Sequence, residues 1–308
     1  MAKSLLRLES GLCTDKLPQR PPKVSDEEAR KILEWVKKTS RPYAMAHVNH
    51  GVALSDKGNL DGAIAEYRTA IRLRPDHAEA HMALGNALKD KGDLDGATAE
   101  LRTAIRLQIA ECREALRLNP NLATAHLGLG LALGRKGDPD GEIAEYREAL
   151  RLNPNLAAAH FALGNALQMK GDLDAAVAEY REALRLDPKV EHAHNNLGVA
   201  LKNKGDLDGA VAEYHEELRL NPNDHLAHHN VGNALGDKGD LDGAIAEYRE
   251  ALRLNPNDGM SHFSLGLALE GKRERRLALE EYRAAYMLDR KNANYRRNYE
   301  RLLQQVDK

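Results

Sequence analysis

The sequence predicts an all-α chain, a solenoid of helix–turn–helix hairpins that repeat every 34 residues. Prolines mark this period at Pro120, Pro154, Pro188, Pro222 and Pro256. Within each period, apolar residues recur at i, i+3, i+4 and i+7, which is the spacing of one helix face. Trp, Tyr and Phe make up only 4% of the 308 residues, fewer than a conventional globular core of this length would hold. Together these observations favour a line of small helical units over two globular domains.

The unit at residues 191–224 shows how each hairpin is predicted to form. Gly205 suits the left-handed stop that ends the first helix, because glycine has no Cβ to clash there. Asp206 follows and can cap the second helix through its carboxylate. Pro222 then ends the second helix, since proline lacks the backbone donor that a helix interior needs.

One tyrosine recurs in the second helix of most units, and we expect it to fill the core of each hairpin. Small residues at the helix crossings leave room for a ring that buries roughly 150–250 Å². A hairpin alone cannot bury its apolar face, so stacking of neighbouring units supplies the remaining core. The predicted core tyrosines are Tyr67, Tyr146, Tyr180, Tyr214, Tyr248 and Tyr282.

One junction breaks the period, because Pro75 and Pro120 lie 45 residues apart. The segment 109–120 repeats a later second helix at every position except Cys112. No glycine or proline interrupts residues 97–118, so the sequence predicts one fused long helix there and a step in the solenoid. This spacing is 23 residues shorter than two complete units. Either a deletion in the gene or an error in the gene model would produce it.

The two ends differ in composition from the repeats at 44–292. Residues 1–25 are rich in proline and are predicted to be disordered. A capping box beginning at Ser25 predicts an N-terminal capping helix over residues 26–42. Residues 293–308 read as a polar C-terminal capping helix, which the last unit of a solenoid requires.

A fixed set of residues recurs in phase along the repeats, and one unit shows it as Leu163, Gly164, Ala176, Tyr180, Ala183 and Pro188. This pattern resembles the tetratricopeptide repeat family over more than three-quarters of the chain. It departs from the family at Glu142 and Glu217, which replace alanine, and at Arg290, which replaces the closing proline. The resemblance implies a right-handed superhelical solenoid without catalytic activity or a cofactor.

The resemblance also implies a concave groove, lined by the first helix of each unit, that binds a peptide or a partner helix. The predicted function is therefore that of a protein–protein interaction scaffold. Side-chain amides suit such a groove because they both donate and accept hydrogen bonds. Mapping the family motif onto the chain places the following residues in the groove: Met82, Asn86, Leu127, Phe161, Asn165, Gln168, Asn195, Asn196, Lys202, His229, Asn230, Asn233 and Phe263.

An alternative function is the substrate-recognition arm of a multi-component enzyme. Asn49, Asn196 and Asn230 hold matching positions in the first helices of their units. They look similar to the asparagine ladder that binds substrate peptides in protein O-linked N-acetylglucosamine transferases. The sequence contains no phosphate-binding loop, dinucleotide fingerprint or nucleophile-elbow motif. A weaker third alternative is a metal-responsive sensor.

Thirteen histidines raise the question of metal binding. Seven occupy one position of the first helix, namely His47, His81, His126, His160, His194, His228 and His262. Successive helices pack about 8–10 Å apart. Histidines of neighbouring units are therefore too far apart to bind the same ion, because each ligating nitrogen must lie ~2.0–2.1 Å from the metal. We therefore predict neutral packing histidines with depressed pKa values, whose stabilising contribution is lost as the pH falls through ~6.5.

A second histidine cluster contains His225, His228 and His229, with His192 at the equivalent start of the preceding unit. His225 and His229 are four residues apart, a spacing that can hold a metal ion. No neighbouring cysteine or catalytic glutamate supports that role, so the sequence favours a polar contact patch.

Charge and cysteine content restrict the partners and the compartment. Lys and Arg number 45 and Asp and Glu 47, a balance that argues against nucleic-acid binding. No apolar run approaches 18 residues, so no membrane span is expected. Two cysteines and the lack of an apolar leader predict a cytoplasmic protein. The expected partners are other proteins or peptides, and the sequence leaves the oligomeric state open.

Overall fold

The computed structural model describes residues 42–306, and this part of the chain contains helices and turns without a strand. The predicted segment 1–25 and the predicted capping helix up to residue 41 lie outside the described residues, as do residues 307–308. No helix within 42–306 has both the length and the apolar character that a bilayer crossing needs. The chain divides into two compact units, the first ending at Ala104 and the second beginning at Ile105.

Fifteen helices follow one another along the described residues. They are α1 (42–56), α2 (Leu60–Leu73), α3 (Ala78–Lys91), α4 (Leu94–Leu118), α5 (Ala123–Lys136), α6 (Pro139–Leu152), α7 (Ala157–Lys170), α8 (Leu173–Leu186), α9 (Ala193–Asn203), α10 (Leu207–Leu220), α11 (His225–Asp237), α12 (Leu241–Leu254), α13 (Gly259–Gly271), α14 (Arg275–Leu288) and α15 (Ala293–Val306). From α5 to α14, consecutive helices pair as hairpins, which confirms the predicted all-α repeat architecture.

The turn inside each hairpin forms as the sequence predicts. Gly205 adopts the left-handed conformation with φ 87°, and Asp206 accepts a hydrogen bond from the Gly209 amide at 2.9 Å. The last hairpin lacks that glycine, and Arg273 takes the left-handed conformation there with φ 66°. A residue with a Cβ is strained in this region, so the last turn is less stable than the others.

Tyrosines form the centre of most hairpin cores, as predicted, while Leu101 lies against Gly85 in the hairpin of α3 and α4. Tyr146, Tyr180, Tyr214 and Tyr282 are at most 1% exposed. Each ring lies against the glycine of the preceding helix, and a Cβ built on Gly198 would stand 2.5 Å from Cε1 of Tyr214. The glycine therefore sets how closely the two helices of a hairpin approach, and the ring fills the space it leaves.

The irregular junction contains a single helix of 25 residues, α4, over the range where the sequence predicts a fused helix. The division between the two units falls within this helix. Cys112 replaces the usual tyrosine there and packs beside the apolar cluster of Ile109, Leu129 and Leu133. Burial raises the pKa of the Cys112 thiol.

The C-terminal helix α15 packs on the last hairpin through an ion pair and through buried side chains that include Leu302 and Tyr295. The Arg301 guanidinium donates to both oxygens of Glu270 on α13, each at 2.7 Å. Leu302 is fully buried beneath it. The guanidinium holds the pKa of Glu270 below its usual value.

Candidate functional site

Five side-chain amides on α7, α9 and α11 form a connected group, here called the amide row (Asn165, Gln168, Asn195, Asn196 and Asn230). The Asn230 amide donates to Oδ1 of Asn195 at 2.8 Å, and Asn196 donates to Oδ1 of Asn165 at 2.9 Å. Asn195 and Asn196 lie side by side, with Nδ2 and Oδ1 3.5 Å apart. The row thus links the first helices of three successive hairpins, and all its members are half-buried.

Two core tyrosines form hydrogen bonds with amide side chains of the first helices. The Tyr180 hydroxyl lies 2.7 Å from Oδ1 of Asn165 and 2.9 Å from Oε1 of Gln168. Tyr248 donates in the same way to Oδ1 of Asn233 at 2.8 Å. Burial raises the pKa of Tyr248 to about 12, so its hydroxyl remains a donor at neutral pH. The helical pattern predicts only a packing role for these tyrosines, yet an asparagine precedes the tyrosine by 15 residues in both units and accepts from its hydroxyl.

Tyr214 differs from its counterparts, because Val199 stands where Asn165 supports Tyr180. Its buried hydroxyl has no hydrogen-bond partner among the described residues. We expect Tyr214→Phe to stabilise the chain by about 1 kcal/mol, since it removes an unsatisfied buried group, and Tyr180→Phe to destabilise it by about as much. Urea unfolding followed by circular dichroism measures both changes. Equal losses of stability in the two variants would contradict the assignment.

The apolar residues predicted for the groove rest against the same core. The Phe161 ring lies 6.0 Å from that of Tyr180, and Phe263 lies 5.6 Å from Tyr282, centroid to centroid. Leu127 packs against the adjoining core cluster. All three are half-buried, so each uses part of its surface for packing and leaves part accessible.

Two polar residues predicted for the groove have side-chain partners elsewhere in the chain. The Lys202 ammonium lies 2.8 Å from Oδ2 of Asp237. His229 is only 8% exposed, and its Nδ1 lies 2.9 Å from the Ser261 hydroxyl. Ser261 in turn donates to Oδ2 of Asp258 at 2.5 Å. Burial lowers the pKa of His229.

The remaining predicted groove residues, Met82 and Asn86, lie on α3 in the first compact unit. Met82 is half-buried and Asn86 is exposed. The other eleven, including Asn233 beside the amide row, belong to the second unit.

The seven repeated histidines do not serve as plain packing residues. Each Nδ1 lies 2.5–2.7 Å from a glutamate oxygen on the second helix of the same hairpin. The pairs are His47–Glu66, His81–Glu100, His126–Glu145, His160–Glu179, His194–Glu213, His228–Glu247 and His262–Glu281. The packing interpretation missed the glutamate that follows each histidine by 19 residues.

Several of these rings stand between two acceptors. Nε2 of His262 lies 3.1 Å from the carbonyl oxygen of Pro256, while Nδ1 faces Glu281 at 2.6 Å. A carbonyl and a carboxylate only accept, so the ring satisfies both only when both nitrogens carry protons. The hydrogen bond to Glu281 raises the pKa of His262, and the Pro256 carbonyl adds to this. The predicted depressed pKa is therefore wrong for His262.

The second histidine cluster is divided among different partners. His225 Nε2 lies 3.1 Å from Nδ2 of Asn255. His228 pairs with its glutamate, and His229 contacts Ser261. The three rings therefore have separate partners.

Comparison with protein families gives matches along most of the repeats. A model described as TPR repeat matches residues 51–92, 143–171, 169–205 and 232–272. Models described as tetratricopeptide repeat match residues 192–224, 78–108 and 123–156. No curated protein matches the sequence.

Solved structures share this fold. YrrB, described as a TPR protein with an unusual peptide-binding site, is 22% identical with a TM-score of 0.54, covering 61% of this chain and 97% of its own. MamA is 26% identical with a TM-score of 0.51, covering 56% and 94%. A tetratricopeptide repeat protein from Parabacteroides merdae is 15% identical with a TM-score of 0.56, covering 84% and 98%.

Proposed function

Because the chain belongs to the tetratricopeptide repeat family, we propose that it is a protein-interaction scaffold whose amide row binds an extended peptide segment of a partner. The observation that carries this proposal is the continuous run of amides across α7, α9 and α11. Two of the hydrogen bonds in the row join different helices, and a third joins the adjacent residues Asn195 and Asn196. These bonds fix the orientation of the side chains before a partner binds. Preorganisation of this kind lowers the entropic cost of binding.

The amides retain hydrogen-bonding capacity for a ligand. A side-chain amide has two N–H donors and two acceptor lone pairs. Asn196 uses one donor on Asn165 and one acceptor lone pair on Asn195. A second N–H and a second lone pair remain, which match the alternating C=O and N–H groups of an extended backbone. The accessible faces of Phe161 and Phe263 offer contacts for apolar side chains of such a peptide.

The charges near the row indicate what kind of peptide it would select. Lys202, the cation predicted for this surface, is paired with Asp237 at 2.8 Å. Its ammonium is thus engaged before any peptide carboxylate approaches. We expect recognition through the peptide backbone and apolar side chains, with weak dependence on the charge of the peptide.

Capture of partners from a lysate, followed by mass spectrometry, tests the proposal. In the double variant Asn196→Ala, Asn230→Ala we expect the affinity for the partner to fall by roughly 5- to 150-fold, because two amides would each lose hydrogen bonds worth roughly 0.5–1.5 kcal/mol. Asn223→Ala, an exposed residue of the turn before α11, is the matched control. Partners recovered unchanged by a folded double variant would refute the amide row as the binding surface.

A second candidate function is the substrate-recognition arm of a glycosyl-transferring assembly. Asn196 and Asn230, which match the asparagine ladder expected from the sequence, both lie in the amide row. This function predicts a catalytic partner among the captured proteins and sugar transfer to peptides bound by the chain. Captured material without transferase activity would contradict the recognition-arm function and would remain consistent with the scaffold function.

A further inference from the structure

Two departures from the repeat, Glu217 and His192, lie near Asp224 at the junction of α9, α10 and α11. Glu217 occupies a position at which Ala183 and Ala251 are fully buried in neighbouring units, and its carboxylate side chain is only 2% exposed. His192 precedes α9 in a left-handed conformation with φ 60°. Asp224 stands at the start of α11, where Val190 precedes α9 in the preceding unit.

The ligand-type atoms of these three side chains lie within 4.8 Å of one another. Nδ1 of His192 lies 3.7 Å from Oε1 of Glu217. The other contacts of Glu217 are long, because its oxygens lie 3.4 Å from the backbone nitrogen of Asn195 and 3.4 Å from Nδ2 of Asn221. A buried carboxylate is costly unless a cation or several short hydrogen bonds compensate its charge. The contacts that the described residues make with Glu217 therefore compensate its negative charge only weakly.

We propose that His192, Glu217 and Asp224 bind one zinc ion, with water as the fourth ligand. Zinc takes imidazole nitrogens at about 2.0–2.1 Å and carboxylate oxygens at about 2.0–2.2 Å, commonly from three protein ligands. Tetrahedral ligands then lie about 3.4 Å apart, close to the spacing of His192 and Glu217. The His192 side chain is 55% exposed, so it can rotate and bring its ring nitrogen to the distance that zinc coordination needs.

The surroundings of the two outer ligands fit this assignment. Asp224 caps α11 through Oδ1, which accepts from Leu226 at 2.9 Å and from Ala227 at 3.3 Å. Its second oxygen is left for the ion. Nε2 of His192 faces the Glu191 carboxylate at 3.5 Å, an arrangement that orients metal-bound histidines in other proteins. A mixed imidazole and carboxylate set favours zinc over magnesium or calcium.

Calorimetric titration of the tag-free full chain with zinc chloride tests the proposal, and Co²⁺ absorption reports the coordination geometry. We expect one equivalent of zinc to bind and to raise the melting temperature. Glu217→Ala restores the alanine found elsewhere in the repeat, and Asp224→Asn keeps an N-cap while removing the charge. Each variant should weaken zinc binding at least about tenfold, as should His192→Ala.

His215→Ala is the matched control, because this exposed histidine lies on the same helix as Glu217. It should bind zinc as the wild type does. Failure of the wild type to bind zinc would overturn the site. Zinc binding that persists unchanged in both Glu217→Ala and Asp224→Asn would overturn it equally.

Discussion

Replacing Gly198 by alanine will destabilise the chain by about 1–2 kcal/mol, whereas the same substitution at Gly236 will stabilise it by about 0.5–1 kcal/mol. A Cβ on Gly198 would stand 2.5 Å from Cε1 of Tyr214, a ring that is fully buried and has no free space to enter. Overpacking typically costs about 1–3 kcal/mol, and so short a contact with a buried ring lies in the upper part of that range. Subtracting the roughly 1 kcal/mol of helix propensity that alanine gains leaves the expected loss.

Gly236 is the matched control because it lies near the end of a first helix, α11, without the close contact. The nearest atoms to its Cβ position, on Ala244 and Tyr248, are 3.8 Å away. Only the gain in helix propensity should then remain. Urea unfolding followed by circular dichroism gives both free-energy differences. If Gly198→Ala proves as stable as Gly236→Ala, the glycine does not set the approach of the two helices.

The fold was predictable because its determinants are local and repeated. The cap at Asp206 and the left-handed Gly205 require only neighbouring residues, and both form as predicted. Tyr214 was identified as a core residue from its place in a helical apolar pattern. Each of these signals lies within about one hairpin, so the sequence order alone was sufficient to place it.

The contacts between side chains were harder to predict because they depend on how two helices cross. His262 and Glu281 are 19 residues apart, and helical spacing within one helix says nothing about such a pair. The amide row shows the same difficulty. Asn165 contacts Asn196 across 31 residues, whereas Asn195 contacts Asn230 across 35. Neither separation equals the 34-residue period, so the repeat alone does not reveal these pairs.

Raising the pH from about 6.5 to 8.5 will lower the free energy of unfolding, the reverse of what neutral packing histidines would produce. Glu281 raises the pKa of His262 above its ordinary value of 6.5 in the folded chain. The folded state then binds the proton more tightly than the unfolded state. The contribution is fully present below 6.5 and is lost as the pH rises through the folded pKa, with a slope of up to ~1.4 kcal/mol per pH unit.

Groups whose pKa is lowered in the folded chain contribute on the acid side of the profile, and Glu66 and His229 are two of them. The hydrogen bond from His47 lowers the pKa of Glu66 below 4.5, so its contribution is present above that pH and is lost as the pH falls through the folded pKa. Burial lowers the pKa of His229 below 6.5, so its contribution is present above 6.5 and declines on acidification. His262 alone among these three therefore accounts for loss of stability on the alkaline side.

Nuclear magnetic resonance titration of the histidine rings distinguishes the two environments directly. We expect His262 to titrate above 6.5 and His229 below it, because the first ring donates to Glu281 while the second is buried beside Ser261. His262→Gln should be less stable than the wild type at pH 6.5, and the difference should shrink as the pH rises through the folded pKa of His262. A His262 ring that titrates below 6.5 would restore the packing interpretation for this residue, because burial without a charged partner lowers the pKa of a histidine.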